Sequence, residues 1–93
     1  MSERYYTLEL VSQRVSLSPA AVRRYTRLGV VTPSAWRGRT PLYSEADLAR
    51  LRKIVRLTRD LGLNTAGVEV VLRLTDRMET LQRQMMALRE EDT

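Results

Sequence analysis

The chain has 93 residues, 43% of them hydrophobic, enough for one domain with a small core. It contains no Cys and no His, which excludes disulfides, thiolate or imidazole metal sites, and catalysis by either side chain. The formal charge of +5 is uneven: residues 1–59 carry twelve basic and four acidic side chains, residues 60–93 four basic and seven acidic.

That imbalance predicts a polyanionic partner for the first part and a different task for the last. All the cations but Lys53 are Arg, whose planar fork suits phosphates and guanine edges. A genome that favours Arg would give the same bias, but not the clustering. No apolar run reaches the length of a membrane span, and the N-terminus lacks the layout of a signal peptide. The expected location is the cytoplasm, with no membrane, no small-molecule substrate and no cofactor as partner.

Four helices are predicted. Tyr5 and Tyr6 form a short extended lead-in. Thr7 caps a first helix that runs to about Val15, with Glu9 where the helix dipole favours an acid. After a tight Ser16-Leu17 turn, Ser18 caps a second helix and Pro19 takes its first position, where a missing N–H costs nothing. Leu17 and Val22 form a hydrophobic staple, and Gly29 closes this eleven-residue helix in a left-handed conformation. Two helices joined so tightly are a helix-turn-helix.

Val30-Val31 and Leu42-Tyr43 read as short strands around a Pro/Gly/Arg loop, a small β-hairpin or wing. Ser44, with Asp47 three residues on, caps a third helix whose core face is Leu48, Leu51, Ile54, Val55 and Leu61, ended by Gly62. Asn64 caps the last helix, Thr65 to about Arg89, with Leu63 and Val68 as a second staple. Along it Val71, Leu74, Met78, Leu81, Met85 and Leu88 alternate spacings of three and four, as in a pairing helix. A methionine stripe of this kind is dimer packing rather than a ligand box. Glu90-Glu91-Asp92 place acids at the unfavourable end of the dipole, so that end is expected to fray.

At 100° per residue, Val22, Tyr25 and Leu28 fall on one side of the second helix, and Ala20, Arg23, Arg24 and Arg27 on the other. In a helix-turn-helix the second helix enters the major groove. Ala20 is small enough for close approach, and the guanidinium groups can reach phosphates or a guanine edge. A solvated cationic face would look the same on this helix alone, but Arg37 and Arg39 on the wing extend it. Trp36 has two readings: it stacks on a sugar of the nucleic acid, or it caps the local core, the more common place for a lone Trp beside a hairpin. Tyr25 can pack its ring inward and offer its hydroxyl to a phosphate. Tyr43 is expected to anchor the returning strand. The DNA-binding candidates are therefore Ser18, Ala20, Arg23, Arg24, Tyr25, Arg27, Trp36, Arg37 and Arg39.

Residues 18–31, Ser-Pro-Ala-Ala-Val-Arg-Arg-Tyr-Thr-Arg-Leu-Gly-Val-Val, resemble the recognition-helix signature of MerR-type regulators. Residues 42–54, Leu-Tyr-Ser-Glu-Ala-Asp-Leu-Ala-Arg-Leu-Arg-Lys-Ile, resemble the segment after their wing, and residues 61–68, Leu-Gly-Leu-Asn-Thr-Ala-Gly-Val, the stretch that opens their next helix pair. The likeness covers nearly the whole chain. The Asn-x-Ala-Gly-Val form and a short tail without an effector domain are most similar to two branches. One represses heat-shock genes; the other modulates chaperones by binding the J-domain of a DnaJ-like cochaperone.

The resemblance implies a mainly α fold: a winged helix-turn-helix DNA-binding segment at 1–62, with a small β-hairpin wing, and a long C-terminal dimerisation helix at 63–93. It implies a homodimer with antiparallel C-terminal helices on double-stranded DNA, with DNA contacts at the matches to Arg23, Tyr25 and the wing Arg residues. A DnaK/DnaJ-type chaperone is a further implied partner. Metal-sensing members use Cys beside the dimer helix, and this chain has none. The family's wing usually carries Arg before its Tyr-Ser; Leu42 stands there, which favours the chaperone-binding branch unless Arg37 or Arg39 substitutes. The leading reading is a repressor of stress or chaperone genes, with the chaperone modulator second. An enzyme is excluded by the missing His and Cys and by the lack of any convergent carboxylates.

Overall fold

Every helix start is set by a side chain that stands in for a missing backbone partner. The structure, a computed structural model, describes residues 4–92. It divides into two units, one ending at Leu63 and the other beginning at Asn64. The expected segments 1–62 and 63–93 reach into residues 1–3 and 93, which lie outside the described ones.

In the first unit, α1 (Leu8–Val15) begins at Thr7, whose hydroxyl accepts from the Leu10 N–H. It ends at Ser16, a non-glycine residue at φ 59°. From α3, described below, the Arg59 Nη2 donates to the Ser16 carbonyl at 2.7 Å and so ties down the turn. Helix α2 (Pro19–Arg27) begins at Ser18, whose Oγ accepts from the Ala21 N–H at 3.1 Å. It has nine residues rather than the expected eleven. Leu28 and Gly29 instead form its terminating turn: the Gly29 N–H donates to Thr26 and the Val30 N–H to Tyr25, the paired bonds of a Schellman motif, with Gly29 at φ 75°.

That turn also overturns the expected strand at Val30-Val31. Both N–H groups donate to the Tyr25 carbonyl, so neither is available to a ladder, and both side chains are buried. The strands lie further into the loop, as β1 (Ala35–Arg37) and β2 (Thr40–Leu42), antiparallel, with Ala35 opposite Leu42, Trp36 opposite Pro41 and Arg37 opposite Thr40. Gly38, at φ 61°, is the first of two loop residues, where a type II′ hairpin turn requires positive φ. Tyr43 does not continue β2. It forms an isolated antiparallel bridge with Tyr6, which confirms the extended lead-in.

Helix α3 (Glu45–Arg59) carries the expected capping box, with Ser44 and Asp47 exchanging side-chain and backbone bonds. Its buried residues are Leu48, Leu51, Ile54 and Leu57. Leu57 replaces Leu61, which lies beyond the end of the helix and is exposed, and Val55 is half-buried. Helix α1 packs against both α2 and α3, and together with Tyr6, Tyr25 and Tyr43 these elements form a continuous core.

The second unit is α4 (Thr65–Asp92), one helix of 28 residues. Asn64 caps it, its Oδ1 accepting from the Gly67 N–H at 2.9 Å. Glu90 to Asp92 remain helical instead of fraying. No helix among the described residues is long and apolar enough to cross a membrane.

Candidate nucleic-acid interface

The outward face of α2 follows from its inward one. Val22 and Tyr25 are buried, so residues about half a turn away must project. Ala20, Arg23, Arg24 and Arg27 are all exposed, as expected. The inward face holds one polar group that the sequence did not single out. The Thr26 Oγ1 donates to the Val22 carbonyl at 2.8 Å and lies 2.9 Å from the Tyr43 hydroxyl. Tyr43 is fully buried where the wing returns, so this pair of hydroxyls fixes α2 to the base of the wing.

The strand that enters the wing is fastened at the same base. The Asp47 carboxylate accepts from the Ser34 N–H at 3.0 Å and from the Ser34 hydroxyl at 2.6 Å, while also closing the capping box of α3. The Ser34 and Ser44 Oγ atoms lie 2.8 Å apart, and because the Ser34 proton goes to Asp47, Ser44 is the donor of that bond. A three-residue strand pair would be marginal in isolation. Here both strands are held at the base of the hairpin by hydrogen bonds to helices, which sets the wing against α2.

The result is an open groove of about 290 Å³ lined by Ala20, Arg23, Thr26 and Arg27 from α2, with Pro41 and Tyr43 from the wing and Leu8. Arg23 and Arg27 therefore share one surface with the hairpin. Arg37 and Arg39 are exposed at the tip of that hairpin. Among the described residues, Arg23, Arg27, Arg37 and Arg39 form no ion pair and no hydrogen bond. Arg24 differs: its guanidinium carbon lies 5.7 Å from the centroid of the Tyr25 ring and does not line the groove.

Three other candidates need separate placement. Ser18 is exposed, but its Oγ already caps α2. Tyr25 is 4% exposed, so its ring belongs to the core. Trp36 is 57% exposed, which overturns the expectation that it caps the core: its partner across the hairpin is Pro41, and a two-stranded wing gives it nothing else to pack against.

Charge counting also overstated the binding face. Arg59 is committed to the Ser16 carbonyl, the Arg50 Nε donates to the Val30 carbonyl, and Arg14 lies 5.0 Å from the centroid of the Tyr6 ring. These cations hold carbonyls and a ring of their own chain. Composition cannot separate them from the free ones, because the partners are carbonyls 20 and 43 residues away.

In α4, the expected pairing stripe is exposed at Leu74, Met78, Leu81, Met85 and Leu88, and half-buried at Val71. Val70, half-exposed at 51%, falls on the same arc and was missed because its neighbour Val71 filled the heptad position. At 100° per residue, these seven side chains occupy an arc of about 100°.

The sequence profile of the MerR HTH family of regulatory proteins matches residues 6–90. The chain belongs to that family. The match takes in α1, α2, both strands, α3 and nearly all of α4. The chain is also 35% identical over 77 residues to a protein of Streptomyces coelicolor named as a heat shock protein, HspR. That alignment covers 83% of the chain and 51% of the relative, so the chain spans about half the length of this curated relative. A MerR-family transcriptional regulator from Bacillus cereus has the same fold, with a TM-score of 0.66 at 18% identity over 95% of this chain and 71% of that one.

Proposed function

We propose that this MerR-family chain is a dimeric DNA-binding transcriptional regulator that represses heat-shock or chaperone genes. The observation that carries the reading is the set of unpartnered guanidinium groups, Arg23 and Arg27 in the groove and Arg37 and Arg39 on the wing, held in fixed relation by the Thr26–Tyr43 and Ser34–Asp47 bonds. Helix α2 enters the major groove, where Ala20 permits close approach and Arg23 reads a base edge or grips a phosphate. Arg24, Arg27, Arg37 and Arg39 neutralise flanking phosphates, and the Tyr25 hydroxyl is a further phosphate donor. Residues 1–62 form the DNA-binding domain and 63–93 the dimerisation segment.

Two copies pair through Val71, Leu74, Met78, Leu81, Met85 and Leu88, joined by Val70. The arc of these residues drifts by about 20° per heptad, the mismatch that a left-handed supercoil absorbs. Pairing places two α2 helices on two half-sites of one duplex. The heat-shock target is supported by the name of the Streptomyces coelicolor relative, and a DnaK/DnaJ-type chaperone is a further partner in this reading. The regulator acts in the cytoplasm, beside its DNA.

The chaperone-modulator branch draws on Leu42 in place of a wing Arg, together with a short tail that has no effector domain. Leu42 is half-buried opposite Ala35, so its apolar character serves the hairpin and says nothing against DNA. The test is selection of duplexes by the protein from a random-sequence pool, followed by gel shift across a range of salt. Four free guanidinium groups per chain on a two-chain complex predict a slope of log affinity against log salt as steep as about −7. A protein that retains no duplex, or whose binding ignores salt, is not this regulator.

A further inference from the structure

We propose that Trp36 is a deoxyribose-contacting residue, whose ring lies against the sugars of the DNA strand held between α2 and the wing. The inference rests on the duplex-binding reading and names what one wing residue adds to it.

Trp36 is the only Trp in the chain and is 57% exposed, whereas Tyr6, Tyr25 and Tyr43 are all buried. An aromatic side chain can bury about 150–250 Å², so an exposed Trp on the wing offers a large contact surface. The register identifies the face. Trp36 stands directly opposite Pro41, so the two rings share one side of the hairpin, while Arg37 and Thr40 share the other. Pro41 lines the groove that also holds Arg23 and Arg27. Trp36 therefore lies on the hairpin face that Pro41 turns toward the two unpartnered cations, at the margin of the groove, while Arg37 projects from the opposite face.

That alternation matches the chemistry of a DNA strand. Phosphates are separated by deoxyriboses whose C2′ methylene and ring edge are apolar. Guanidinium groups answer the first, and the Trp36–Pro41 wall answers the second. The Ser34–Asp47 and Thr26–Tyr43 bonds hold both strands at the base of the wing, two residues from the ring on the first strand, and so limit the ordering that binding requires.

A single Trp makes intrinsic emission a report on this residue alone. The wild-type chain is titrated with a duplex that it has selected from a random-sequence pool, with a dye on the DNA reading binding by anisotropy. Acrylamide quenching of Trp36 is expected to fall several-fold in the complex. Trp36→Ala is expected to weaken binding about tenfold. The salt slope stays unchanged, because no cation is lost, and Trp36→Phe recovers most of the affinity. Normal binding with unchanged quenching, or an Ala variant that binds like wild type, overturns the inference and leaves the regulator reading intact. Protection from acrylamide that appears on raising protein concentration without DNA assigns the ring to a second copy and also overturns it. Failure to retain any duplex overturns both readings together.

Discussion

Up to Leu63, thirteen apolar side chains are buried. In α4 only Val68 and Leu72 are, and seven large apolar residues stand between 43% and 61% exposed. The first region closes its core within short elements, using caps, a Schellman turn and arginines bonded to its own carbonyls. The second is a single helix whose apolar arc is largely exposed. An isolated 28-residue helix with that arc in water lacks the tertiary packing that stabilises most helices. The contrast teaches that the buried core and the exposed apolar arc lie in different parts of this sequence, and in the dimer proposed above it is the arc of α4 that a second chain covers.

The sharpest break is a charge in the arc. Leu81→Asp places a carboxylate in an apolar interface with no partner, which is expected to weaken the dimer by more than a hundredfold, about 3 kcal/mol or more. Sedimentation equilibrium then shows monomers at concentrations where the wild type is dimeric. A dimer that survives removes the arc from the interface.

A matched pair of truncations tests the same contrast. Leu51 in α3 is fully buried and Leu74 in α4 is 59% exposed. Leu51→Ala is expected to cost about 2–5 kcal/mol by chemical denaturation, because it leaves a cavity. Its effect should be the same at any protein concentration. Leu74→Ala should cost less, and its cost should grow with concentration if the proposed dimer is what buries that side chain. Equal, concentration-independent losses would show that both leucines are intramolecular core.

Within the first region, the free cations differ in what they are expected to read. Arg23→Ala is expected to cost about 1–3 kcal/mol on the selected duplex and to relax preference at one base position. Arg37→Ala should weaken all duplexes alike and reduce the salt slope by about one unit per chain. Binding assays on matched and mismatched duplexes, each at several salt concentrations, separate the two. If Arg23→Ala changes only the slope, α2 reads no base through that residue.

Much of this was legible in the residue order. Ser18-Pro19, Ser44 with Asp47, Asn64 and Gly29 mark chain reversals by local chemistry, and each acts where its spacing placed it. The outward Arg face of α2 follows from helical period alone. The failures are non-local. Val30-Val31 have strand propensity, but the Tyr25 carbonyl claims their N–H groups. Arg50 and Arg59 count as surface cations until carbonyls distant in sequence appear beside them. Trp36 looked like core because lone tryptophans usually are, and only the register against Pro41 shows that the wing has no second layer to cover it.

The smallest effect tests whether the wing is held or merely hinged. Asp47→Asn keeps the shape of the side chain but removes the negative charge that receives both Ser34 bonds and the Ser44 N–H. A charged acceptor bonds more strongly than an amide oxygen, so the change is expected to cost about 1 kcal/mol of stability. If the wing is positioned by this carboxylate, the loss on DNA is larger than the loss in stability, because Arg37 and Arg39 no longer meet phosphates at a fixed distance from Arg23. Denaturant midpoints and duplex affinities measured on the same variant compare the two. A fall in stability with unchanged affinity would assign Asp47 to the cap of α3 alone and leave the Thr26–Tyr43 pair as the fastening that sets the wing.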